Sequence, residues 1–384
     1  MRWKKRILAF SISLHATSAW CINGAEMSGH GATLGMGGVT IANPEDSLVG
    51  ASNPAGMAFV GNKWDLDLAV FDGSSTSTYL LPSNVIHQRI LTAVPNFGFN
   101  YQFAQRWSVG ISSIAGGAGV NYDTAAFPLP GAPRAKNAIA AARIVNSWTY
   151  KPTDDLSLGV GLVLGYQNVK TEGLILPQSN GALAIAPSHG FAQAFGYGAS
   201  AGVLWRANDW LTLGASYMSK THMGRPHGYS QDLLGSVGGH MDLPESFGVG
   251  FAVHPTSTVT IAGDWKQIRW ADSRAFKELF GWKNQNVVRG GVSWQATPLL
   301  TLRAGVSRAS ELIGTDDVAR NVYGPGINTL AYTVGASYDW KDVGRFSFAF
   351  EYDPQKKLVG TGLSTGSSID VHLHVLSLSY QRSF

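Results

Sequence analysis

The sequence has little charge and no long hydrophobic run. Charged residues make up 14% of its 384 residues, against roughly 25% in a typical soluble domain. A helical membrane protein needs about 20 consecutive apolar residues for each span, and the chain contains no such stretch. The composition therefore disfavours both an ordinary soluble enzyme and a helical membrane protein.

A basic surplus is missing once the N-terminus is set aside. Four of the 29 basic residues lie within the first six positions, and the remaining 25 balance the 25 acidic residues. The four N-terminal basic residues precede the apolar run ILAFSISL and small residues at Thr17 and Ala19. This layout is typical of a secretory signal peptide. We predict a signal peptide over 1–19, with a buried N-terminal helix as the alternative. Without a basic surplus, nucleic acid is not an expected partner.

Cysteine is almost absent. Cys21 is the only one, so no intramolecular disulfide can form. A cysteine near a signal cleavage site can carry a lipid anchor, but Trp20 stands before it where lipoprotein processing requires a small residue. We therefore expect an exported protein without a disulfide or a lipid anchor.

Alternation with a period of two recurs along the chain. In KWDLDLAVFD, Trp64, Leu66 and Leu68 share one face while Asp65 and Asp67 share the other, which predicts a β-strand. Similar runs give fourteen candidate strands, near 63–72, 90–104, 106–116, 138–150, 155–169, 191–206, 209–219, 243–254, 257–267, 284–296, 299–309, 327–340, 344–353 and 371–384. The number is even, as bacterial single-chain membrane barrels require.

The connections between these strands alternate in length. After the first hairpin, links of a few residues alternate with long connectors near 117–137, 170–190, 220–242, 268–283, 310–326 and 354–370. Short turns at one end and long loops at the other are typical of outer-membrane barrels. Because lipid cannot satisfy an open sheet edge, a spanning sheet must close. We predict an all-β fold, a transmembrane antiparallel β-barrel over 63–384 in the bacterial outer membrane.

The predicted surroundings of this barrel follow from its surface. Apolar strand faces would contact outer-membrane lipid and lipopolysaccharide. The last strand is amphipathic and ends in Phe384, and such tails resemble the signal that the barrel assembly machinery reads. We expect a monomer.

Two motifs could indicate chemistry. GASAG at 198–202 matches a nucleophile elbow with Ser200 as nucleophile, but that elbow needs a strand-turn-helix context and this string lies within an alternating strand. His372 and His374 lie at the start of the last strand without companion ligands. We predict no catalytic residue, metal site or cofactor.

The region before the first strand has a different composition. Residues 20–62 are glycine-rich and nearly uncharged, yet they include Met36, Ile41, Leu48 and Phe59. A disordered linker would be more polar. We predict that this segment packs inside the barrel, which at fourteen strands is wide enough to hold it.

Three motifs in order resemble one protein family. ATLGMGGVTIANPEDSLVGASNPAGMAF resembles the N-terminal signature of the FadL/TodX family of outer-membrane transporters for long-chain fatty acids and aromatic hydrocarbons. WSVGISSIAGGAGVNYD is similar to the third strand of that family, and LPESFGVGFAVHPTSTVTIAGDWKQIRW is similar to its mid-barrel hairpin. The stretch at 170–190 has no counterpart that we can align.

The resemblance implies a mechanism. Members of the family are fourteen-stranded barrels closed by an N-terminal hatch, and extracellular loops capture hydrophobic ligands. The hatch then rearranges, and the ligand leaves sideways at a kinked third strand. The hatch would be 20–62, with its motif at Asn53, Pro54, Ala55, Gly56, Met57 and Phe59.

The exit and the capture surface have candidate residues as well. Gly116 and Gly117 are the kink candidates, because glycine inside a strand marks bends; the alternative is that the strand ends there. The long connectors offer apolar residues for ligand capture, namely Phe127, Leu174, Ile175, Phe276 and Phe280.

We therefore predict passive uptake of hydrophobic small molecules, either long-chain fatty acids or aromatic hydrocarbons. The alternatives are a general porin, an outer-membrane lipase and a structural barrel.

Overall fold

The chain forms a closed barrel of fourteen antiparallel strands in a computed structural model that describes residues 29–177 and 182–384. The predicted signal peptide 1–19 and Cys21 lie outside the described residues. The barrel strands, β1 to β14 in chain order, are Lys63–Tyr79, Leu81–Ala104, Trp107–Asn121, Lys136–Tyr150, Leu156–Glu172, Ala192–Asn208, Leu211–Met218, Ser246–Thr256, Val259–Ile268, Gln285–Gln295, Leu300–Ala309, Leu330–Trp340, Gly344–Val359 and Ser368–Ser383. Consecutive strands pair, and β14 pairs with β1 to close the wall. The predicted fold class and strand number are confirmed.

The two faces of each strand divide as the alternation predicts. In β13, Phe346 and Phe348 are 44% and 45% exposed on the outer face, while Ser347 and Glu351 are buried on the inner face. Hydrophobic side chains on the outside of a barrel contact lipid, and the polar face lines the lumen. The lumen therefore receives the small and polar residues that keep mean hydropathy low.

The first hairpin is longer than the alternation predicts. Strands were expected over 63–72 and 90–104, whereas β1 and β2 extend to a one-residue link at Leu80. Thr78 pairs with Val85 near the tip. The added stretch of β1 is rich in Ser and Thr, so its outer face carries no hydrophobic signal, whereas the added stretch of β2 exposes Leu81 and Val85.

Long connectors fold over one end of the barrel and contain short helices. α1 is Arg274–Phe280 and α2 is Val318–Asn321. A small hairpin pairs Ile175–Pro177 with Leu183–Ile185, and the short strand His222–Met223 adds to β6. Across residues 29–177 and 182–384, no helix combines the length and apolarity needed to cross a membrane.

Candidate functional site

The described part of the predicted hatch, residues 29–62, lies inside the barrel, and we call it the plug. It contains three 3-10 turns, Gly31–Met36, Ser47–Ala51 and Pro54–Phe59. Most of its side chains are buried, including Leu34, Met36 and Met57 at 0% exposure. The plug fills the half of the lumen toward the short turns, which is the periplasmic end in outer-membrane barrels.

Asn53 ties the plug to the wall. Its Nδ2 donates to the Ile41 carbonyl at 2.7 Å and to the Val203 carbonyl of β6 at 3.2 Å. Its Oδ1 accepts from the Ala55 amide at 3.1 Å and caps the turn that begins at Pro54. Asn53 has an extended backbone with φ −144°, because a following proline disfavours the helical region.

Wall glycines let the plug backbone come close. A Cβ added at Gly202 would lie 1.9 Å from the Asn53 Oδ1, and one at Gly159 would lie 2.3 Å from the Ala55 amide nitrogen. At Gly110 it would lie 2.1 Å from the Met57 methyl carbon. Glycine in a strand often marks such a close approach, so the wall sequence fits this plug.

The remaining residues of the predicted hatch motif occupy two settings. Gly56 packs on Val49 within the plug, where an added Cβ would lie 2.8 Å from a valine methyl. Phe59 lies half-buried at the short-turn end, with the Arg206 guanidinium 4.2 Å and the Lys151 ammonium 4.9 Å from its ring centroid. Cations over an aromatic face are attracted by the ring quadrupole, so Phe59 helps to hold this end of the plug.

Buried charges add a second set of ties. The Arg303 Nε donates to Glu45 of the plug at 3.1 Å, and its Nη1 donates to the Ser337 hydroxyl at 2.6 Å. Burial raises the pKa of Glu45, but Arg303, with smaller contributions from other neighbours, outweighs burial and holds that pKa below its usual value. Burial, with the charges of Asp65 and Glu45, raises the pKa of Asp46 well above its usual value.

Above the plug, an inner cavity extends toward the long loops. It encloses about 1010 Å³ of unoccupied space, part of it open to solvent. Ala51 of the plug forms part of its lining. Its other lining residues come from β3, β4, β5, β7 and β9 and from the connectors before β8 and after β9, including Ile114, Gly116, Gly117, Ile139, Ala141, Met218, Leu243, Trp270, Phe276, Phe280 and Trp282. The lining is mainly apolar, as for other sites that bind hydrophobic ligands.

Three polar side chains interrupt this apolar lining. Arg143 and Lys266 bring positive charge, and Gln167 brings an amide. Neither amide atom of Gln167 has a hydrogen-bond partner among residues 29–177 and 182–384, although the residue is 0% exposed. A buried amide without a partner costs roughly 1–3 kcal/mol, so a ligand that bonds to it would remove a penalty.

An outer cavity lies between the long loops and holds about 1260 Å³ of unoccupied space, part of it open to solvent. Ile139 and Phe280 line both cavities, so the two are adjacent. An aromatic cluster lines the inner cavity, in which Trp282 stacks on Phe276 at 4.8 Å and meets Trp270 edge-on at 5.0 Å. The two cavities together make an apolar path from the loops to the plug.

The predicted capture residues divide between the cavities and the loop core. Phe276 and Phe280 line the inner cavity, and Leu174 lines the outer cavity. Phe127 packs against the buried loop cluster. Ile175 is fully buried. The Tyr79 hydroxyl donates to its carbonyl at 2.8 Å, and its amide donates to the Tyr323 hydroxyl at 3.0 Å.

The hydrogen-bond ladder between β2 and β3 is interrupted beside the inner cavity. Pairing stops after Gly98 opposite Ser112, while β2 stays paired with β1 and β3 stays paired with β4. The two segments are hydrogen-bonded again where the Asp123 amide donates to the His87 carbonyl at 3.0 Å. The interval from Gly98 back to His87 has as many residues as the interval from Ser112 to Asp123. The two strands therefore have the same register at both ends of the interruption.

We call this interruption the window, bounded by residues 88–97 of β2 and by residues 113–122, which run from β3 to the residue just past its end. Gly116 and Gly117 lie on its β3 side and also line the inner cavity. The strand continues past them to Asn121. The predicted kink residues therefore lie where the inner cavity reaches the wall between β2 and β3. Among the described residues of these two strands, this is the interval without ladder hydrogen bonds.

Ser200 does not form a nucleophile–base pair. It lies in β6, and its hydroxyl has no hydrogen-bond partner among the described residues.

The sequence did not reveal the aromatic pair Trp270 and Trp282 or the polar side chains of the inner cavity. The tryptophans follow the L-P-E-S hairpin in a long connector, where their clustering with Phe276 was the available signal.

The fold and the cavities define a plugged transmembrane β-barrel with an apolar path through its loop end. The family model described as outer membrane protein transport protein (OMPP1/FadL/TodX) matches residues 9–380, and the chain belongs to this family. The family resemblance and the outer-membrane location predicted from sequence are confirmed.

Solved structures agree on the fold. The Pseudomonas putida toluene transporter TodX is 18% identical with a TM-score of 0.71, covering 96% of this chain and 100% of that one. The Ralstonia pickettii toluene transporter TbuX is 16% identical with a TM-score of 0.67, covering 93% and 99%. A Pseudomonas aeruginosa FadL homologue is 16% identical with a TM-score of 0.68, covering 96% and 99%. Comparison with curated protein sequences gives no match.

Proposed function

We propose that this protein carries hydrophobic small molecules passively into the outer membrane. Cargo enters the outer cavity between the loops, passes the aromatic cluster into the inner cavity, and leaves sideways through the window. The observation that carries the proposal is the position of the inner cavity, whose lining includes Gly116 and Gly117 at the unzipped part of the wall.

The plug supports a sideways route over a straight one. Asn53, the Glu45–Arg303 ion pair and the glycine-lined wall hold the lower lumen closed. Opening it would break buried hydrogen bonds and leave a buried charge without its partner, which is strongly unfavourable. The same filling argues against a general porin, which needs an aqueous path.

We propose that plug rearrangement is confined to the turn Ser47–Ala51. Ala51 is the plug residue that lines the inner cavity, so cargo in the cavity would press on this turn. The Ser47 amide donates to Asp65 at 2.8 Å, and the Ser112 hydroxyl donates to the Ser47 carbonyl at 2.6 Å. Ser112 is also the last β3 residue before the window, which links this turn to the exit.

The polar groups of the inner cavity favour one cargo class. Arg143 and Lys266 contribute positive charge, and in the part of the chain that the structure describes Gln167 has an unpartnered amide and no lining residue is acidic. A carboxylate accepts strong hydrogen bonds from such donors. We therefore propose a long-chain fatty acid, with its tail along the aromatic cluster, over the toluene named for TodX and TbuX.

Binding to the purified protein tests the cargo class. Lys266→Met should weaken oleate binding about tenfold, since a charge-assisted contact is lost, and should leave toluene binding unchanged. Thr301→Met, on β11 away from the cavity, is the matched control. Equal loss for both ligands, or no loss for oleate, would overturn the fatty-acid assignment.

Uptake by cells tests the transport function itself. Cells that carry the gene should take up oleate faster than cells without it, at matched amounts of folded barrel. Equal uptake of oleate and of toluene by the two strains would contradict transport and would favour a structural barrel.

A further inference from the structure

The β3 edge of the window presents backbone amides that no longer reach a β2 carbonyl. Lipid cannot supply partners for such groups, so exposed strand edges are excluded from the hydrocarbon region of a membrane. A stable window therefore needs partners from elsewhere in the protein.

Asn96 supplies one partner at the lower end of the window. Its Oδ1 accepts from the Ala115 amide at 3.1 Å. Its Nδ2 donates to Asp67 of β1 at 3.1 Å and lies 3.2 Å from Nδ1 of His30 in the plug. The buried side chain of Asn96 thus contacts β3, β1 and the plug.

Gln88 supplies a second partner at the upper end. Its Oε1 accepts from the Asn121 amide at 2.8 Å, and its Nε2 donates to the Ser75 hydroxyl of β1 at 2.7 Å. At the start of the window, the Ser113 hydroxyl accepts from the Phe97 amide at 2.7 Å. Like Asn96, Gln88 is almost fully buried.

We infer that Asn96 and Gln88 are positioning residues that hold the window open. This inference rests on the proposed lateral exit. Each side-chain amide spans from β1 to β3 and replaces a ladder bond with a longer bridge, so the Ala115 and Asn121 amides keep partners while the strands stay apart. The His30 contact fixes the lower bridge to a part of the plug outside the turn Ser47–Ala51.

The geometry of the two bridges is matched to the register. Because the strands rejoin in the register in which they part, they can zip without sliding. In that zipped state Val94 would stand opposite Gly116. Loss of a bridge leaves a backbone amide unsatisfied in the window and should favour the zipped state, in which the ladder satisfies it.

A cross-linking experiment tests the inference in the full-length barrel in membranes. Val94→Cys and Gly116→Cys are combined in a Cys21→Ser background, and disulfide formation is followed over time. Cysteines bridge only when their Cα atoms lie within about 7 Å. We expect slow cross-linking with both bridges present and a rate about tenfold higher when Asn96→Leu is added.

Gln88→Leu provides a second, independent variant, and Asn286→Leu provides the control. Asn286 accepts from Gln267 at 3.2 Å on β10, away from the window, and its replacement should leave the rate unchanged. An equal cross-linking rate with and without Asn96→Leu overturns the inference. If Asn96→Leu does not fold, an unchanged rate in Gln88→Leu overturns it.

The outcome is separable from the proposed function. Faster cross-linking in the bridge variants, together with undiminished oleate uptake, would sustain the bridges and reject the lateral route. Faster cross-linking with reduced uptake would sustain both.

Discussion

The two halves of the lumen differ in the polarity of the groups that fill or line them. Toward the short turns, the plug meets glycine and is tied by buried amides, hydroxyls and an ion pair. Toward the long loops, aromatic and aliphatic side chains surround two cavities. A hydrophobic solute is therefore favoured in the loop half and excluded from the plug half.

The difference shows how one barrel can both admit and stop a solute. Polar ties give the plug a single position, because each donor and acceptor must be satisfied. The apolar half has no such requirement and tolerates a variable occupant. The window lies at the boundary, where the solute can proceed only sideways.

The largest expected effect is on the plug ion pair. Arg303→Met should destabilise the plug by about 3 kcal/mol, because it leaves the Glu45 charge buried without its partner. Hydrogen exchange of residues 29–62 measures this loss. Lys356→Met, which breaks the exposed pair with Glu311, should cost under about 1 kcal/mol.

The double variant Glu45→Gln with Arg303→Met sharpens this result. Removing both charges should recover most of the lost protection, since no charge is left unpaired. Persistent loss of protection would mean that Arg303 acts through packing rather than through charge.

Next in size is the fit between plug and wall. Gly202→Val should cost about 2 kcal/mol, since its Cβ would overlap Asn53. We expect a displaced plug and a measurable ion conductance in planar bilayers. Gly290→Val is the control on the outer face of the wall, because a Cβ there would lie 4.0 Å from its nearest neighbour. Equal conductance in both variants would refute the seal at Asn53.

A smaller effect is expected in the apolar half. Phe280→Ala removes a ring that lines both cavities and should weaken oleate binding by about 1–2 kcal/mol, roughly tenfold. The barrel should unfold at an unchanged temperature. Phe59→Ala, in the plug, should leave oleate affinity unaltered, and a comparable loss there would erase the contrast between the two halves.

The smallest effect concerns Asp46. Because its pKa is raised in the folded protein, its charged form opposes folding when the pH is above that raised value. Asp46→Asn keeps the oxygen that caps Leu48 and should raise the stability of the folded protein at pH 7.

The sign of this effect can be checked by titration. The gain should shrink as the pH falls through the raised pKa and vanish below the ordinary value near 3.8. Thermal unfolding across that pH range measures it, and a gain that grows on acidification would contradict the assignment.

The fold was predictable because its signal is local. Alternation such as Phe346, Phe348 and Phe350 against Ser347 and Ala349 needs no partner strand to be recognised. The plug was predictable for a related reason, since its apolar residues and low charge require a packed environment. The extra length of the first hairpin was missed, because the Ser and Thr residues that end β1 do not alternate in hydrophobicity.

The candidate site was only partly predictable. Gly116 and Gly117 carry a local bend signal, but the window depends on which β2 residues face them. Gln167 has the same inward parity as any lumenal amide, and nothing in the sequence tells a satisfied amide from an unpartnered one. Arg143 and Lys266 come from distant strands, so their shared cavity is a property of the closed barrel.

The most direct test of the account is oleate uptake by cells that carry Gly117→Leu, compared with Gly290→Leu. Both variants add the same side chain to a wall glycine, but only Gly117 lines the inner cavity at the window. We predict that Gly117→Leu lowers uptake to the level of cells without the gene, while Gly290→Leu transports normally and both barrels fold. Normal uptake by a folded Gly117→Leu barrel would contradict a lateral exit through the window.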